Sequence, residues 1–384
     1  MPDSSQTQRI ARVIQEYDAQ GWHRSGTEVD HASARWLAEQ VAECGLEPEL
    51  ERFDLSRVDP ELAYVEIDGQ RTEGVPLFDG GFTGPDGVRG RAGPLGAGAG
   101  IGISEVGSGP SQSLMEARRA GEHTAIVAVT PTGPGVALLN SVSFLTPFGP
   151  PVLQVGNKSR EWLMEHARRG SEAHVVVSVM RAPAESFNVT SRLRGKDESL
   201  APVVVMTPRS GWWHCAGERG GGIAAWLEVV RSMADVEPER DVLFVATSGH
   251  EIGLPGVETF LKARPGLEEG ARGWVHFGAN IGAVPDAPPR YAASDRGLER
   301  SAGEALREAG AGSASLSPTM VGAESNLITS RGARCLAMVG GAYALFHREA
   351  DRWPSTIDVE TIARCANAFA TVAVDLATSP PTVP

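Results

Sequence analysis

Cysteine, long apolar runs and basic charge are all scarce in this sequence, and each scarcity excludes a class of protein. The 384 residues include four cysteines, scattered along the chain without paired spacing. A disulfide framework or a cysteine-type zinc site is therefore not expected, whereas a reducing, cytoplasmic environment is. No stretch approaches the run of about 18 apolar residues that a membrane-spanning helix needs, and the first residues carry no apolar secretion signal.

Basic residues number 35 against 48 acidic ones, which leaves a formal net charge of −13. Such a surface repels nucleic acid and anionic membranes, so we expect neither as a partner. Apolar residues make up 41% of the chain and charged residues 22%, as in an ordinary globular protein. The length favours two domains, or one large α/β domain with an insertion.

The hydrophobic pattern separates the chain into two parts. Residues 185–384 alternate helices with nearly continuous apolar strands, among them PVVVM at 202–206 and DVLFVAT at 241–247. Strands of this kind predict a mostly parallel sheet that helices cover on both faces. Residues 1–60 supply two helices and a strand to this α/β domain, whereas residues 61–184 combine glycine-rich turns with short β-like runs and predict a β-rich inserted subdomain. Further strands are expected at 273–279 and 333–340, and helices at 4–20, 28–45, 158–169, 221–234, 255–263, 296–309, 323–331 and 358–378.

Polar residues follow or interrupt the predicted strands of the α/β domain. Ligands of open α/β sheets bind at the carboxyl ends of the strands, so these side chains are expected to share one crevice. His250 and Glu251 are the most specific pair, while His276 lies inside a strand, where a histidine is more often a core residue than a ligand. The full set is Ser210, Glu218, Arg219, His250, Glu251, His276, Asn280 and His347, with Arg209, Trp212 and Trp213 in the loop after the first strand.

Longer segments follow the order and spacing of a known family. They are RSGTEVDHASARWLAEQVAECGLEPELERFDL, GPPVLQVGNKSREWLMEHARRGSEAHVVVSV, GGGIAAWLEVVRSMADVEPERDVLFVATSGHEIGLPGVETFL and GARCLAMVGGAYALFHREADRWPSTID. Over nearly the whole chain, the sequence resembles the zinc aminopeptidase and glutaminyl cyclase family of metallopeptidases, and the second segment resembles a protease-associated domain. The resemblance implies an aminopeptidase-like α/β fold with a protease-associated-like insertion.

The resemblance also implies that one of the family's two metal positions is lost. Pro208 and Ser210 stand where the family has a His-x-Asp motif, and Gly278 stands near the place of a further aspartate ligand. Proline offers no side-chain donor and glycine has no side chain, so at most one divalent metal is expected per chain.

The other metal position keeps its donors. By the resemblance, Glu218 replaces the bridging aspartate, Glu251 is the second residue of the family's Glu-Glu pair, and His347 is its last histidine. Two carboxylates and one imidazole match the three protein ligands of a catalytic zinc, so one Zn²⁺ per chain is the cofactor to consider. The alternative is that Arg219, next to Glu218, occupies the carboxylate and excludes a cation.

The resemblance places His250 where the family has its catalytic glutamate. Histidine titrates near neutrality, so His250 is the expected general base. Arg219 or Arg209 would bind a substrate carboxylate or stabilise an oxyanion. A nucleophilic Ser210 is the weaker alternative, because no G-x-S-x-G elbow is present. The residues expected to bind substrate are Arg209, Trp212, Trp213, His276 and Asn280.

Together these residues predict a cytoplasmic hydrolase that acts on an amide or peptide-like small molecule. Two alternatives stay open: a cyclase or amide-transfer enzyme at the same site, and a non-catalytic binding protein that kept the fold. Exposed β-edges in residues 61–184 are compatible with a homodimer.

Overall fold

The structure is a computed structural model that describes residues 3–109, 111–284, 288–311 and 321–380. Its strands are β1 (Pro48–Ile67), β2 (Gln70–Glu73), β3 (Val75–Pro76), β4 (Val88–Pro94), β5 (Ile101–Glu105), β6 (Ala125–Val129), β7 (Val152–Val155), β8 (Glu172–Leu193), β9 (Val203–Pro208), β10 (Val242–Thr247), β11 (Gly273–Phe277), β12 (Arg290–Ala293) and β13 (Cys335–Val339). Its helices are α1 (Ser4–Ala19), α2 (Glu28–Glu43), α3 (Gln112–Ala120), α4 (Arg160–Arg169), α5 (Gly221–Ala234), α6 (Pro255–Lys262), α7 (Leu267–Gly270), α8 (Arg296–Glu308), α9 (Ala323–Ser330) and α10 (Val359–Thr378).

Within the described part of the chain, thirteen strands form one mixed sheet. Parallel strands make up its centre, in the order β13-β11-β9-β10. Strand β12 flanks β13 and strand β8 flanks β10, both antiparallel. The side chains of β9 and β11 are all buried, which explains why these strands appear in the sequence as unbroken apolar runs. The predicted α/β fold with a mostly parallel central sheet is confirmed.

Helices cover both faces of the central sheet. On one face, Phe369 of α10 packs against Phe277 of β11, and Trp226 of α5 belongs to the same core. On the opposite face, Phe260 of α6 meets Trp274 of β11 edge to face. Burying each of these large side chains favours folding by about 1.5–3 kcal/mol. None of the helices in the described ranges is long and apolar enough to cross a membrane.

A long two-stranded ribbon joins the central sheet to the β-rich segment. Strands β1 and β8 pair antiparallel from Pro48 opposite Ser191 to Ile67 opposite Ala173, with an irregularity between Pro60 and Leu62. One end of the ribbon pairs with β10 and the other with β4, which continues through β5 and β6 to β7. Strands β2 to β7 therefore lie outside the central parallel strands. The division of the chain at residues 60 and 185 stays a prediction, because both positions fall inside the ribbon.

Glycines at the start of α5 determine where the preceding turn lies. A Cβ on Gly221 would lie 1.9 Å from the carbonyl oxygen of Ile281, and one on Gly222 would lie 2.8 Å from that of Gly278. Glycine therefore permits a close approach between the helix and the loop after β11. The approach holds the π-helical turn Ala216–Gly220 beside the residues that follow β9 and β10.

Candidate active site at the strand ends

The centre of the site is a buried guanidinium that joins two carboxylates. Arg219 lies in the turn before α5, and its Nη2 atom is 3.1 Å from Oε1 of Glu218 and 2.9 Å from Oε1 of Glu251. All three side chains are buried, with 0 to 3% of each exposed. Burial alone would lower the pKa of Arg219, but the two carboxylates outweigh it and raise the pKa. The network therefore contains a permanent positive charge between two negative ones.

Ser210, in the loop after β9, supports this network. Its hydroxyl donates to Oε2 of Glu251 at 2.7 Å and accepts the backbone N–H groups of Gly249 and His250 at 3.0 and 3.1 Å. Its carbonyl oxygen accepts Nε of Arg219 at 2.8 Å. Ser210 thus contacts the backbone of His250 rather than its imidazole, and its hydroxyl proton is engaged by a carboxylate.

His347, after β13, lies on the other side of Glu218. Its Nδ1 atom is 2.7 Å from the carbonyl oxygen of Leu138, which fixes the proton on Nδ1. Its Nε2 atom is then an acceptor and lies 3.4 Å from Oε1 of Glu218. Burial lowers the pKa of His347, which favours the neutral imidazole. Burial alone would raise the pKa of Glu218, but the guanidinium of Arg219 and the backbone N–H of His347 lower it on balance.

Asp351 orients the turn that carries Glu218. Its carboxylate accepts the backbone N–H groups of Gly217 and Glu218 at 2.7 and 2.8 Å, and the hydroxyl of Tyr343 at 2.8 Å. Burial raises the pKa of Asp351 to about 6. These bonds satisfy the free N–H groups at the start of the turn, which would otherwise be buried without partners.

A second cluster surrounds a carboxylate that the sequence analysis missed. Glu324, in the first turn of α9, lies with Oε1 2.5 Å from Nδ1 of His250 and with Oε2 3.5 Å from Nε2 of His276. Burial alone would raise the pKa of Glu324, but the two histidines lower it well below 4.5. The available signal was its place at the start of the predicted helix 323–331, since that helix end faces the carboxyl edge of the sheet.

Arg209 lies apart from the other candidates. Its guanidinium is 2.9 Å from Oδ1 of Asp30 and donates to the carbonyl oxygen of Phe187. Only 1% of Arg209 is exposed, so it links α2, β8 and β9 in the core. Asn280 contacts the ion-pair network of Arg219 through its backbone, because its N–H donates to the carbonyl oxygen of Glu218 at 3.0 Å.

The two tryptophans fill the crevice beside Glu251. Trp212 stacks on Phe78 with ring centroids 5.0 Å apart, and Trp213 donates its indole N–H to the carbonyl oxygen of His347 at 3.0 Å. Next to Trp212 and Glu251 is a cavity of about 20 Å³, which Phe78 and Phe144 also line. A cavity of that size holds about one water molecule.

A loop of the β-rich segment, residues 138–141, contacts the site through its backbone. The backbone N–H of Ser141 donates to the carbonyl oxygen of Glu251 at 2.7 Å, and that of Leu138 donates to the carbonyl oxygen of His347 at 3.1 Å. The hydroxyl of Ser141 accepts the N–H of Phe78 at 3.1 Å. The loop therefore contacts two of the predicted metal ligands through backbone hydrogen bonds.

The zinc ion that the resemblance implies does not fit this arrangement. The carboxylates of Glu218 and Glu251 both face the guanidinium of Arg219, so a cation between them would meet a positive charge in a buried, poorly screened place. The described ranges contain no group of three histidine, cysteine, aspartate or glutamate side chains that could hold a metal ion. Instead of a metal ion, the two expected carboxylate ligands, Glu218 and Glu251, pair with Arg219.

Comparisons with known proteins give a clear result for the fold. No model of a known protein family matches the chain, and no curated protein matches its sequence. Among solved structures, the zinc aminopeptidase from Bacillus subtilis superimposes with a TM-score of 0.81 at 15% identity, over 98% of this chain and 96% of that one. The aminopeptidase from Aneurinibacillus sp. strain AM-1 gives 0.76 at 14% identity, over 98% of this chain and 95% of that one.

A third structure, the peptidase M28 precursor from Shewanella amazonensis SB2B, gives a TM-score of 0.74 at 15% identity, over 99% of this chain and 98% of that one. The similarity thus extends over the central sheet and the β-rich segment alike. At this level of identity it establishes architecture and leaves the site to be judged on its own residues. The chain has the fold of the zinc aminopeptidases.

Proposed function

We propose that this chain is a hydrolase that acts on an amide or peptide-like small molecule without a metal ion, with His250 as its general base. The observation that carries the proposal is the 2.5 Å contact between Nδ1 of His250 and the buried carboxylate of Glu324. A base whose ring is oriented by a third group is the usual arrangement of an activating histidine. The aminopeptidase-like fold supports the substrate class.

The chemistry of the pair follows from its protons. The carboxylate of Glu324 accepts the Nδ1 proton, so that Nε2 of His250 carries the lone pair that can take a proton from water. His250 is the most exposed member of its cluster, with 9% of its side chain accessible against 1% for Glu324 and 0% for His276. Across the described residues, no group hydrogen-bonds to Nε2 of His250. The proton-accepting atom is therefore available to a substrate or to water.

The test is an activity screen in the presence of a chelator. Purified protein in EDTA is assayed on aminoacyl anilides, dipeptides and N-terminal glutaminyl peptides, so that hydrolysis and cyclisation are both measured. We expect turnover that EDTA leaves unchanged and that His250→Ala lowers about 10²–10⁴-fold. The matched control is His214→Ala, because His214 is also half-buried but bonds the carbonyl oxygen of Asp18. Activity that appears only with added zinc, or full activity in His250→Ala, would contradict the proposal.

A non-catalytic binding protein is the second candidate. The observation that favours it is that Glu218 and Glu251, two of the expected zinc ligands, form ion pairs with Arg219. This candidate predicts no turnover on any substrate of the screen. It also predicts that peptides which raise the melting temperature do so equally in the unmodified chain and in His250→Ala.

Oligomeric state and location stay predictions. The four cysteines are free and buried, so the structure contains no disulfide among them. A homodimer through the β-edges of residues 61–184 predicts twice the monomer mass in sedimentation equilibrium.

A further inference from the structure

The ion-pair network around Arg219 consists of side chains that commonly bind metals, with a guanidinium between the two carboxylates. Two carboxylates from different turns, Glu218 and Glu251, share one Nη2 atom at 3.1 and 2.9 Å. The Nε atom of the same guanidinium donates to the carbonyl oxygen of Ser210, so the group is held in one orientation. Two buried carboxylates this close need a positive partner, since burial of unpaired charge is strongly unfavourable.

The same network contains buried polar atoms without hydrogen bonds. Within the described part of the chain, Oε1 of Glu218, Nε2 of His347 and Nη1 of Arg219 are buried and have no hydrogen-bond partner, although Oε1 of Glu218 forms the ion pair with Nη2 of Arg219. The first two are acceptors that face each other at 3.4 Å, because the Nδ1 proton of His347 is bound by Leu138. Two lone pairs that face each other in a buried site are typical of ligand atoms arranged around a metal ion.

The orientation of His347 adds an independent observation. Histidines that bind metals usually donate their other ring N–H to a carbonyl or a carboxylate, which fixes the tautomer and the ring. His347 makes this contact with the carbonyl oxygen of Leu138 at 2.7 Å. Its Nε2 atom is therefore oriented as a metal ligand would be.

We propose that Arg219 is a built-in replacement for the metal ion, which keeps divalent metals out. The guanidinium supplies the positive charge that Glu218 and Glu251 require, and it occupies the space between them. If Arg219 is shortened, the two carboxylates and Nε2 of His347 become a set of three zinc ligands with room for water in the fourth position. The inference needs no catalysis by His250, and it can fail or hold independently of the proposed function.

The experiment compares the zinc content of the unmodified chain and of Arg219→Ala. Both are incubated with ZnCl₂, desalted and analysed by inductively coupled plasma mass spectrometry, and their melting temperatures are followed during zinc titration. We expect no stoichiometric zinc in the unmodified chain and about one zinc per chain in Arg219→Ala, with a melting temperature that rises with zinc concentration. The double variant Arg219→Ala/His347→Ala should lose this zinc.

The matched control is Arg209→Ala. Arg209 is as buried as Arg219, but among the described residues its ion pair is with one carboxylate, that of Asp30 at 2.9 Å, whereas Arg219 pairs with two. Its removal should therefore add no zinc. Stoichiometric zinc in the unmodified chain would overturn the inference, and so would a folded Arg219→Ala that takes up none. If Arg219→Ala does not fold with or without zinc, Arg219→Gln replaces it, and the same two outcomes decide.

Discussion

The carboxylate of Glu324 lies 2.5 Å from Nδ1 of His250, although the two residues are 74 positions apart in the chain. Its second oxygen lies 3.5 Å from Nε2 of His276. One buried anion thus serves a histidine at the end of β10 and another inside β11. Among the described residues, neither ring nitrogen of His276 has a hydrogen-bond partner, so its contact with this carboxylate is electrostatic.

Glu324→Gln removes this anion and keeps the shape of the side chain. We expect it to lower the free energy of unfolding by about 1.5–3 kcal/mol at pH 7, because the hydrogen bond from His250 loses its charged acceptor. The pKa of Glu324 is depressed in the folded state, so its stabilisation is present above about 4.5 and is lost as the pH falls further. Urea unfolding at pH 7 and pH 4 checks both points, and an equal destabilisation at the two pH values would contradict the second.

Arg219→Met, measured in EDTA, tests how much the ion pairs of Arg219 with Glu218 and Glu251 contribute to stability. We expect a loss of about 3–5 kcal/mol in the free energy of unfolding, because Glu218 and Glu251 remain as unpaired buried charges. The triple variant with Glu218→Gln and Glu251→Gln should recover much of this loss, since its network is neutral. Chemical denaturation of the three proteins gives the comparison. A triple variant less stable than Arg219→Met would show that repulsion between the carboxylates is not the cause.

The burial of His23 predicts that the protein loses stability at acidic pH. Burial lowers its pKa from 6.5 to about 3, and its ring stacks on Tyr17 with centroids 3.7 Å apart. The unfolded imidazole binds a proton below pH 6.5 while the folded one does not, so stability is lost as the pH falls from 6.5 towards 3. Between pH 7 and pH 4 this group accounts for about 3 kcal/mol.

The measurement is the free energy of unfolding of His23→Gln at pH 7 and pH 4, by urea titration. We expect the variant to lose about 3 kcal/mol less than the unmodified chain over this interval. His166→Gln is the control, because His166 bonds Ser171 in the β-rich segment and lies outside the central core. An unchanged pH dependence in His23→Gln would remove this residue as the cause.

Gly221→Ala tests the close approach at the start of α5. The added Cβ would lie 1.9 Å from the carbonyl oxygen of Ile281, and overpacking of this kind costs about 1–3 kcal/mol or more. In Gly303→Ala, within α8, the added Cβ meets only the hydroxyl of Tyr291 at 3.5 Å. That control should be neutral or more stable by about 0.5–1 kcal/mol. Thermal unfolding of the two variants decides, and a stable Gly221→Ala would contradict the argument.

Local pattern predicted the elements of the central domain closely. Helix α10 runs over Val359–Thr378 where 358–378 was expected, and α5 covers the predicted 221–234. These elements depend on apolar periodicity and on caps such as Asp358, which are properties of neighbouring residues. A strand within residues 1–60 was predicted, but the continuous β1–β8 ribbon was not. Its middle, SRVDPEL, is polar and contains proline, and it becomes strand only through pairing with residues 178–183.

The sequence by itself determined the fold class, because nearly continuous apolar strands alternate with helices over residues 185–384. The loss of one metal position stays a prediction from the resemblance, since Pro208 and Gly278 carry no side-chain donor. The sequence also placed Glu218, Arg219, Glu251 and His347 at strand ends. Only the tertiary structure decided that Arg219 joins the two glutamates, and that Glu324 reaches His250 across 74 residues. A charged side chain's partner depends on which distant elements the core brings within a few ångströms, and no local pattern records that.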